Sequence, residues 1–310
     1  MSVLSVRGSQ SPVSRRVGLA CGLVCLALAV LTAWARADHD THLQGHIRAG
    51  PPPVEIYPTA ERLPANLLRL YLVFDGAMST GESRAHLRLV DDGGREVQRA
   101  FLQLEQELWD RSGRRLTVLF DPGRIKRGLR ANVESGPPLV EGRRYRLVVD
   151  GGWRYADGRP LGRAVSKAFE AGAPDRTAPD IDAWAIEPPS PGTRASLVLR
   201  FPEILDRALL SSGIDVVGPA GEPIRGDIGV APGERDWAFT PERAWRTGEY
   251  RIRVSAQMED VAGNSLLRVF DAEMIGSHAV EEDVPSFLMR RFSISGTKVR
   301  LTSIMRPGVN

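Results

Sequence analysis

From Val54 onward the chain consists of short runs in which apolar and polar positions alternate, separated by glycine, proline or aspartate. Leu68–Phe74, His86–Leu89, Arg115–Phe120 and Arg144–Val149 each place their apolar side chains on one face of an extended segment. The breaks at Asp91-Asp92-Gly93-Gly94, Asp121-Pro122-Gly123 and Asp157-Gly158 are turn-forming, because aspartate bonds the backbone two residues on and glycine accepts positive φ. Period-two runs bounded by such turns predict strands. Only Phe101–Trp109 and Leu205–Leu210 are spaced like helices. The pattern predicts an all-β chain of sandwich architecture.

The pattern also repeats. Phe74, Leu87, Leu89, Gly94 and Val97 recur as Phe201, Ile214, Val216, Gly221 and Ile224, all at an offset of 127. Tyr145, Gly158 and Leu161 recur as Tyr250, Gly263 and Leu266 at an offset of 105. The first copy therefore carries 22 extra residues, placed around Phe101–Trp109 and Arg124–Pro138. This predicts two tandem domains, 54–173 and 178–275, joined near Gly172–Pro179. Residues 276–310 match neither copy. Phe287–Ser293 and Thr297–Ile304 read either as one more hairpin about Gly296 or as a tail.

Each copy shares further marks. A strand ends in phenylalanine with Met78 or Leu205 four residues on, and a later strand ends Phe120-Asp121-Pro122 or Phe239-Thr240-Pro241. Gly142 with Tyr145, or Gly248 with Tyr250, opens the next strand. The closing turn reads Ala156-Asp157-Gly158-Arg159-Pro160-Leu161 or Asp260-Val261-Ala262-Gly263-Asn264. Over about 54–171 and 180–273 this resembles the bacterial Ig-like domain of the S-layer type, the SbsA-like family. The resemblance implies two tandem Ig-like β-sandwiches used as spacer or adhesive modules of the envelope, and it implies no catalytic residues.

The 310 residues are 42% hydrophobic and 25% charged, an ordinary globular balance. The net charge of +3 and the two cysteines change meaning at the N-terminus. Arg15-Arg16 precede the apolar run Val17–Leu31, and Ala35-Arg36-Ala37 supplies the small residues of a cleavage site, so residues 1–37 read as a signal peptide. The run is shorter than the roughly 20 residues of a membrane span, though an uncleaved anchor is the alternative. Export runs through the general secretory route or, given Ser14-Arg15-Arg16, the twin-arginine route. Removing the segment leaves 37 basic and 38 acidic residues and no cysteine, so disulfides and thiol chemistry drop out together. The expected location is periplasmic or extracellular, with no stable membrane span after cleavage.

Candidate chemistry is sparse. His39, His42 and His46 crowd the linker 38–53, where closely spaced imidazoles bind copper or zinc; the competing reading is a solvated tail. The first domain is also similar to periplasmic copper-resistance C proteins, which pair an N-terminal His with an Asp-Gly-His-Pro turn. Here that turn reads Asp157-Gly158-Arg159-Pro160, so one implied ligand is missing. Arg124, Lys126, Arg127 and Arg130 form a basic run suited to an anionic glycan or phosphate, or simply to a solvated loop. No aromatic residues interleave it, and no nucleic-acid partner is expected. The tryptophans serve as sugar platforms or as core. Hydrolase, zinc-protease and phosphate-loop motifs are absent from the sequence. The reading is a non-catalytic, cofactor-free envelope module whose partner is an envelope protein or glycan. A metal-binding periplasmic protein is the first alternative and an envelope enzyme the second.

Overall fold

The computed structural model describes residues 52–271 and 285–296, and those from Pro53 onward group into one compact unit. The first copy contributes β1 (Val54–Tyr57), β2 (Arg62–Pro64), β3 (Arg69–Phe74), β4 (Leu87–Asp91), β5 (Leu108–Trp109), β6 (Arg115–Leu119), β7 (Arg144–Val149) and β8 (Val165–Gly172). They form two sheets, ordered β1-β3-β6-β5 and β2-β8-β7-β4, antiparallel except for the β2–β8 pair. The second copy contributes β9 (Ala185–Glu187), β10 (Leu197–Arg200), β11 (Ile214–Val217), β12 (Gly226–Val230), β13 (Asp236–Pro241), β14 (Gly248–Ser255) and β15 (Phe287–Ile294). Their sheets are ordered β12-β13-β10-β9 and β11-β14-β15. The chain is all-β, two tandem Ig-like sandwiches, with four short α-helices among the described residues: α1 (Ser83–His86), α2 (Pro122–Ile125), α3 (Arg130–Ser135) and α4 (Arg207–Leu210).

Alternation decides which face each strand buries. In β3, Leu70, Leu72 and Phe74 enter the first core while Arg69, Tyr71 and Val73 face outward. The two copies keep the same cross-strand register. Leu87 pairs Val149 and Leu89 pairs Leu147, just as Ile214 pairs Val254 and Val216 pairs Ile252. Leu72 opposite Leu116 corresponds to Leu199 opposite Trp237, so the offset at β6 is 121. The 22 extra residues therefore divide into six before β6 and sixteen after it, the latter holding α2 and α3.

Phe101–Trp109 is not a helix. Phe101 bridges Phe120, and β5 pairs with β6, so the segment is held along that strand's open edge. The hydrogen-bonding demand of an edge outweighs the local spacing. Arg207–Leu210 is helical as expected, capped by the Asp206 carboxylate on Ala208 and Leu209 N–H at 3.0 Å each.

Phe287–Ile294, which the repeat left without a counterpart, is the outer strand of the second sandwich, paired with all of β14. Phe292 lies opposite Tyr250 as Phe169 lies opposite Tyr145, and both pairs stack, at 5.5 and 5.9 Å. The glycine-tyrosine pairs are tyrosine corners: Tyr145 Oη accepts from Val140 N–H at 2.9 Å, and Tyr250 Oη from Arg246 N–H at 3.1 Å. Trp153, Trp184, Trp237 and Trp245 are buried, and Trp109 packs on Phe74 and Trp153, so these rings are core rather than sugar platforms. Asp91, Asp121 and Asp157 bond backbone N–H groups two residues on, as turn aspartates do.

Candidate functional site

The chemistry of the described residues concentrates where the two sandwiches meet. The start of β3 and the segment before it face the Asp260–Asn264 turn, the loop after β10, and α4. Leu68 N–H donates to Val261 C=O at 2.9 Å. Ile204 and Val261 of the second sandwich belong to the first sandwich's core. Gly263 has φ +85°, and a Cβ there would sit 2.4 Å from Leu68 Cδ2, so the turn requires glycine for both conformation and approach.

Polar groups surround this apolar contact. Tyr71 donates its hydroxyl to Asp206 at 2.7 Å, and Arg69 reaches Asp206 and Glu259. Burial first, then Asp206, pushes the Tyr71 hydroxyl above its usual range. Glu234, buried and at φ +51°, accepts from Thr59 N–H and hydroxyl at 2.8–3.0 Å. Three bonds to a carboxylate offset the left-handed backbone. Lys167 donates to Thr59 and Ala60 C=O, and burial lowers its pKa. Asn66 and Asp175 exchange bonds between the first sandwich and the connector, at 2.5 and 2.7 Å.

Three carboxylates converge behind this network: Asp175 from the connector, Glu203 after β10, and Asp260 from the Gly263 turn, with oxygens within 4.8 Å of one another. Burial, then Asp260 and Asp175, pushes Glu203 up to about 7. Burial also raises Asp260 to about 7, against bonds from Asn264 N–H and Nδ2 that favour its ionised form. The oxygens of the three carboxyls are of the type that ligates hard divalent cations.

The basic run expected to bind anions is distributed differently. Arg124 is 7% exposed, and its guanidinium donates to the carbonyls of Gln98, Arg99, Ser135, Gly136 and Pro137. It ties the two insertions of the first sandwich together. Lys126 stands over the Phe270 ring at 4.4 Å, Arg127 pairs Asp271 at 3.3 Å, and Arg130 pairs Glu134 at 2.7 Å. Two of the four thus serve the joint, since Asp271 also binds Arg176 of the connector at 2.9 Å. His39, His42 and His46 lie outside the described residues. His86, the only histidine among the described residues, stacks on Trp153 at 5.4 Å with Nδ1 3.8 Å from Asp150.

Nothing in the sequence pattern marks the joint's polar partners, because Tyr71, Glu234 and Asp206 are far apart in the chain and ordinary in their own strands and loops. The Asp260–Asn264 turn was the one visible signal.

Among the described residues no helix is long and apolar enough to cross a membrane. Compared with known proteins, the chain matches no family model and no curated protein. Among solved structures it is similar to domains 1–6 of the surface-layer protein SbsC, at 13% identity and a TM-score of 0.27, over 67% of this chain and 24% of that one. The chain thus spans about a quarter of that structure. It is also similar to Escherichia coli alpha-2-macroglobulin domains MG0-NIE-MG1, at 10% identity and a TM-score of 0.22, over 73% of this chain and 66% of that one. A chimeric titin Z1Z2 shares 10% identity at a TM-score of 0.22, over 65% and 86% of the two chains.

Proposed function

We propose that the protein is an exported, non-catalytic module of the cell envelope that holds two SbsA-like Ig sandwiches as one rigid pair. The observation that carries this reading is the joint: Ile204 and Val261 share the first sandwich's core, and Leu68 N–H bonds Val261 C=O. Inter-domain contacts in a single chain are usually polar and movable, so an apolar joint ringed by buried hydrogen bonds favours fixed spacing. The recognition surfaces are then loops at the sandwich edges, offered at constant separation to an envelope protein or glycan. The signal-like N-terminus and the cysteine-free remainder support export.

Two measurements test this. Spin labels on exposed positions of the two sandwiches, read by pulsed electron resonance in the full chain, are expected to give one narrow distance distribution. In a bacterium expressing the chain, the product is expected in the envelope fraction with Asp38 at its N-terminus. A broad distribution removes the rigid pair, and an unprocessed cytosolic product removes export.

A further inference from the structure

The outward face of β1, β3 and β6 is not fully covered by the second sandwich. Beside α4 it leaves a cleft of about 460 Å³, walled by Tyr57, Tyr71 and Val73 and lined with three arginines, Arg114, Arg115 and Arg207. That volume lies in the range of about 300–1,000 Å³ typical of small-ligand sites, and domain junctions are where such sites collect. We propose that this cleft binds a ligand through an oxyanion group, carboxylate or phosphate, held between Arg115 of the first sandwich and Arg207 of the second.

The hydrogen-bond inventory gives the sign of the missing group. Two carboxylates also line the cleft, and both already have donors. Asp110 accepts from Ser112 Oγ at 2.8 Å and from Arg114 and Arg115 N–H at 3.0 Å, bonds that hold its pKa below the usual range despite partial burial. Glu55 accepts from the Tyr57 hydroxyl. The cations are less fully matched: Arg115 has Asp110 as a charge neighbour, and among the described residues no ion pair within 4 Å holds it or Arg207. Arg115 lies over the Tyr71 ring at 5.7 Å, and its Nε is buried without a hydrogen-bond partner. Arg207 lies over the Tyr57 ring at 5.1 Å and its partners are neutral, the Tyr57 side chain and Ser211 Oγ, the latter at 3.0 Å.

Guanidinium groups immobilised on aromatic rings present planar N–H forks that match carboxylate and phosphate oxygens. A cleft with satisfied acceptors and unsatisfied cationic donors takes an anion rather than a cation or a neutral sugar. The anion site thus comes from Arg115 and Arg207, distant in sequence, rather than from the contiguous run at 124–130.

Calorimetric titration of the full chain with inorganic phosphate, glucuronate and glucose tests the assignment, at low and high salt. Saturable binding of phosphate, glucuronate or both is expected, with none of glucose and weaker binding in high salt. Phosphate alone identifies a phosphoryl ligand, glucuronate alone an acidic sugar, and both a site that reads charge only. Arg115→Ala and Arg207→Ala are each expected to weaken binding roughly tenfold or more, as loss of a charge-assisted fork does. Arg207 makes few contacts, so its variant decides the matter should Arg115→Ala melt early. Absence of saturable anion binding, equal binding of glucose, or parental affinity in the folded Arg207→Ala variant overturns the proposal.

Discussion

Gly263 and Gly158 occupy the same place in the two copies, with φ +85° and +88°, yet only Gly263 has a neighbour where a Cβ would go. The pair separates conformational cost from steric cost. Gly158→Ala is expected to destabilise by about 1 kcal/mol, the ordinary cost of a left-handed alanine. Gly263→Ala adds displacement of Leu68, for about 2–3 kcal/mol, with faster protease cleavage in the connector 173–180; urea melts and limited proteolysis read both. Glu203 makes a pH-dependent prediction. Its folded pKa, pushed up to about 7, exceeds its unfolded value, so its proton favours folding below about pH 4 and that contribution is lost as pH rises through 7. Glu203→Gln is expected to melt like the parent near pH 4 and to be more stable above pH 7, by about 1 kcal/mol once solvent screening of the half-exposed group is allowed for. Equal melting temperatures of variant and parent at both pH values would show that neither burial nor the neighbouring carboxylates raise the Glu203 carboxyl. Arg124 satisfies five carbonyls in a buried position, so Arg124→Met is expected to cost about 2–4 kcal/mol in denaturant melts, whereas exposed Arg130→Ala changes little.

At the level of elements, β15 shows how a strand escapes a repeat. Its counterpart β8 follows β7 closely, whereas β15 arrives eighteen residues later than the repeat spacing requires, so no fixed offset finds it. Phe292 nevertheless packs in the second core against Tyr250. Phe292→Ala is expected to destabilise the second sandwich by about 3–5 kcal/mol, read as loss of near-ultraviolet dichroism at lower urea. Parental stability would show that β14 is held without its partner. Strands with both a period-two face and a flanking turn, such as β3, β4 and β7, were legible because each buries one side only. The edge segment Phe101–Trp109 was misread as helical because edge pairing leaves no periodic trace in the side chains. The short α2 and α3 were invisible too, since they are four and six residues long and lie inside an insertion.

Across the whole molecule, the fold was legible and the joint was not. Two copies of a sandwich pattern state that there are two sandwiches, but the pattern is silent on how copies meet. That depends on single residues, Ile204, Val261 and Leu68 among them, which read as ordinary strand-end apolar positions. The same gap hides which arginines share a cleft. Adjacency in sequence made Arg124 to Arg130 conspicuous, while folding uses Arg124 as a clamp and brings Arg115 and Arg207 to a common cleft.

The joint also has a direction. Repeat offsets place Ala77 and Ala156 of the first sandwich where the second has Ile204 and Val261, and both alanines are exposed. The residue matching Leu68 in the second sandwich is Ala195, exposed as well. The first copy therefore has a socket but no plug, and the second a plug but no socket. Exchanging the order of the sandwiches would join two blank ends, and a third copy could not extend the series from either side by the same contact.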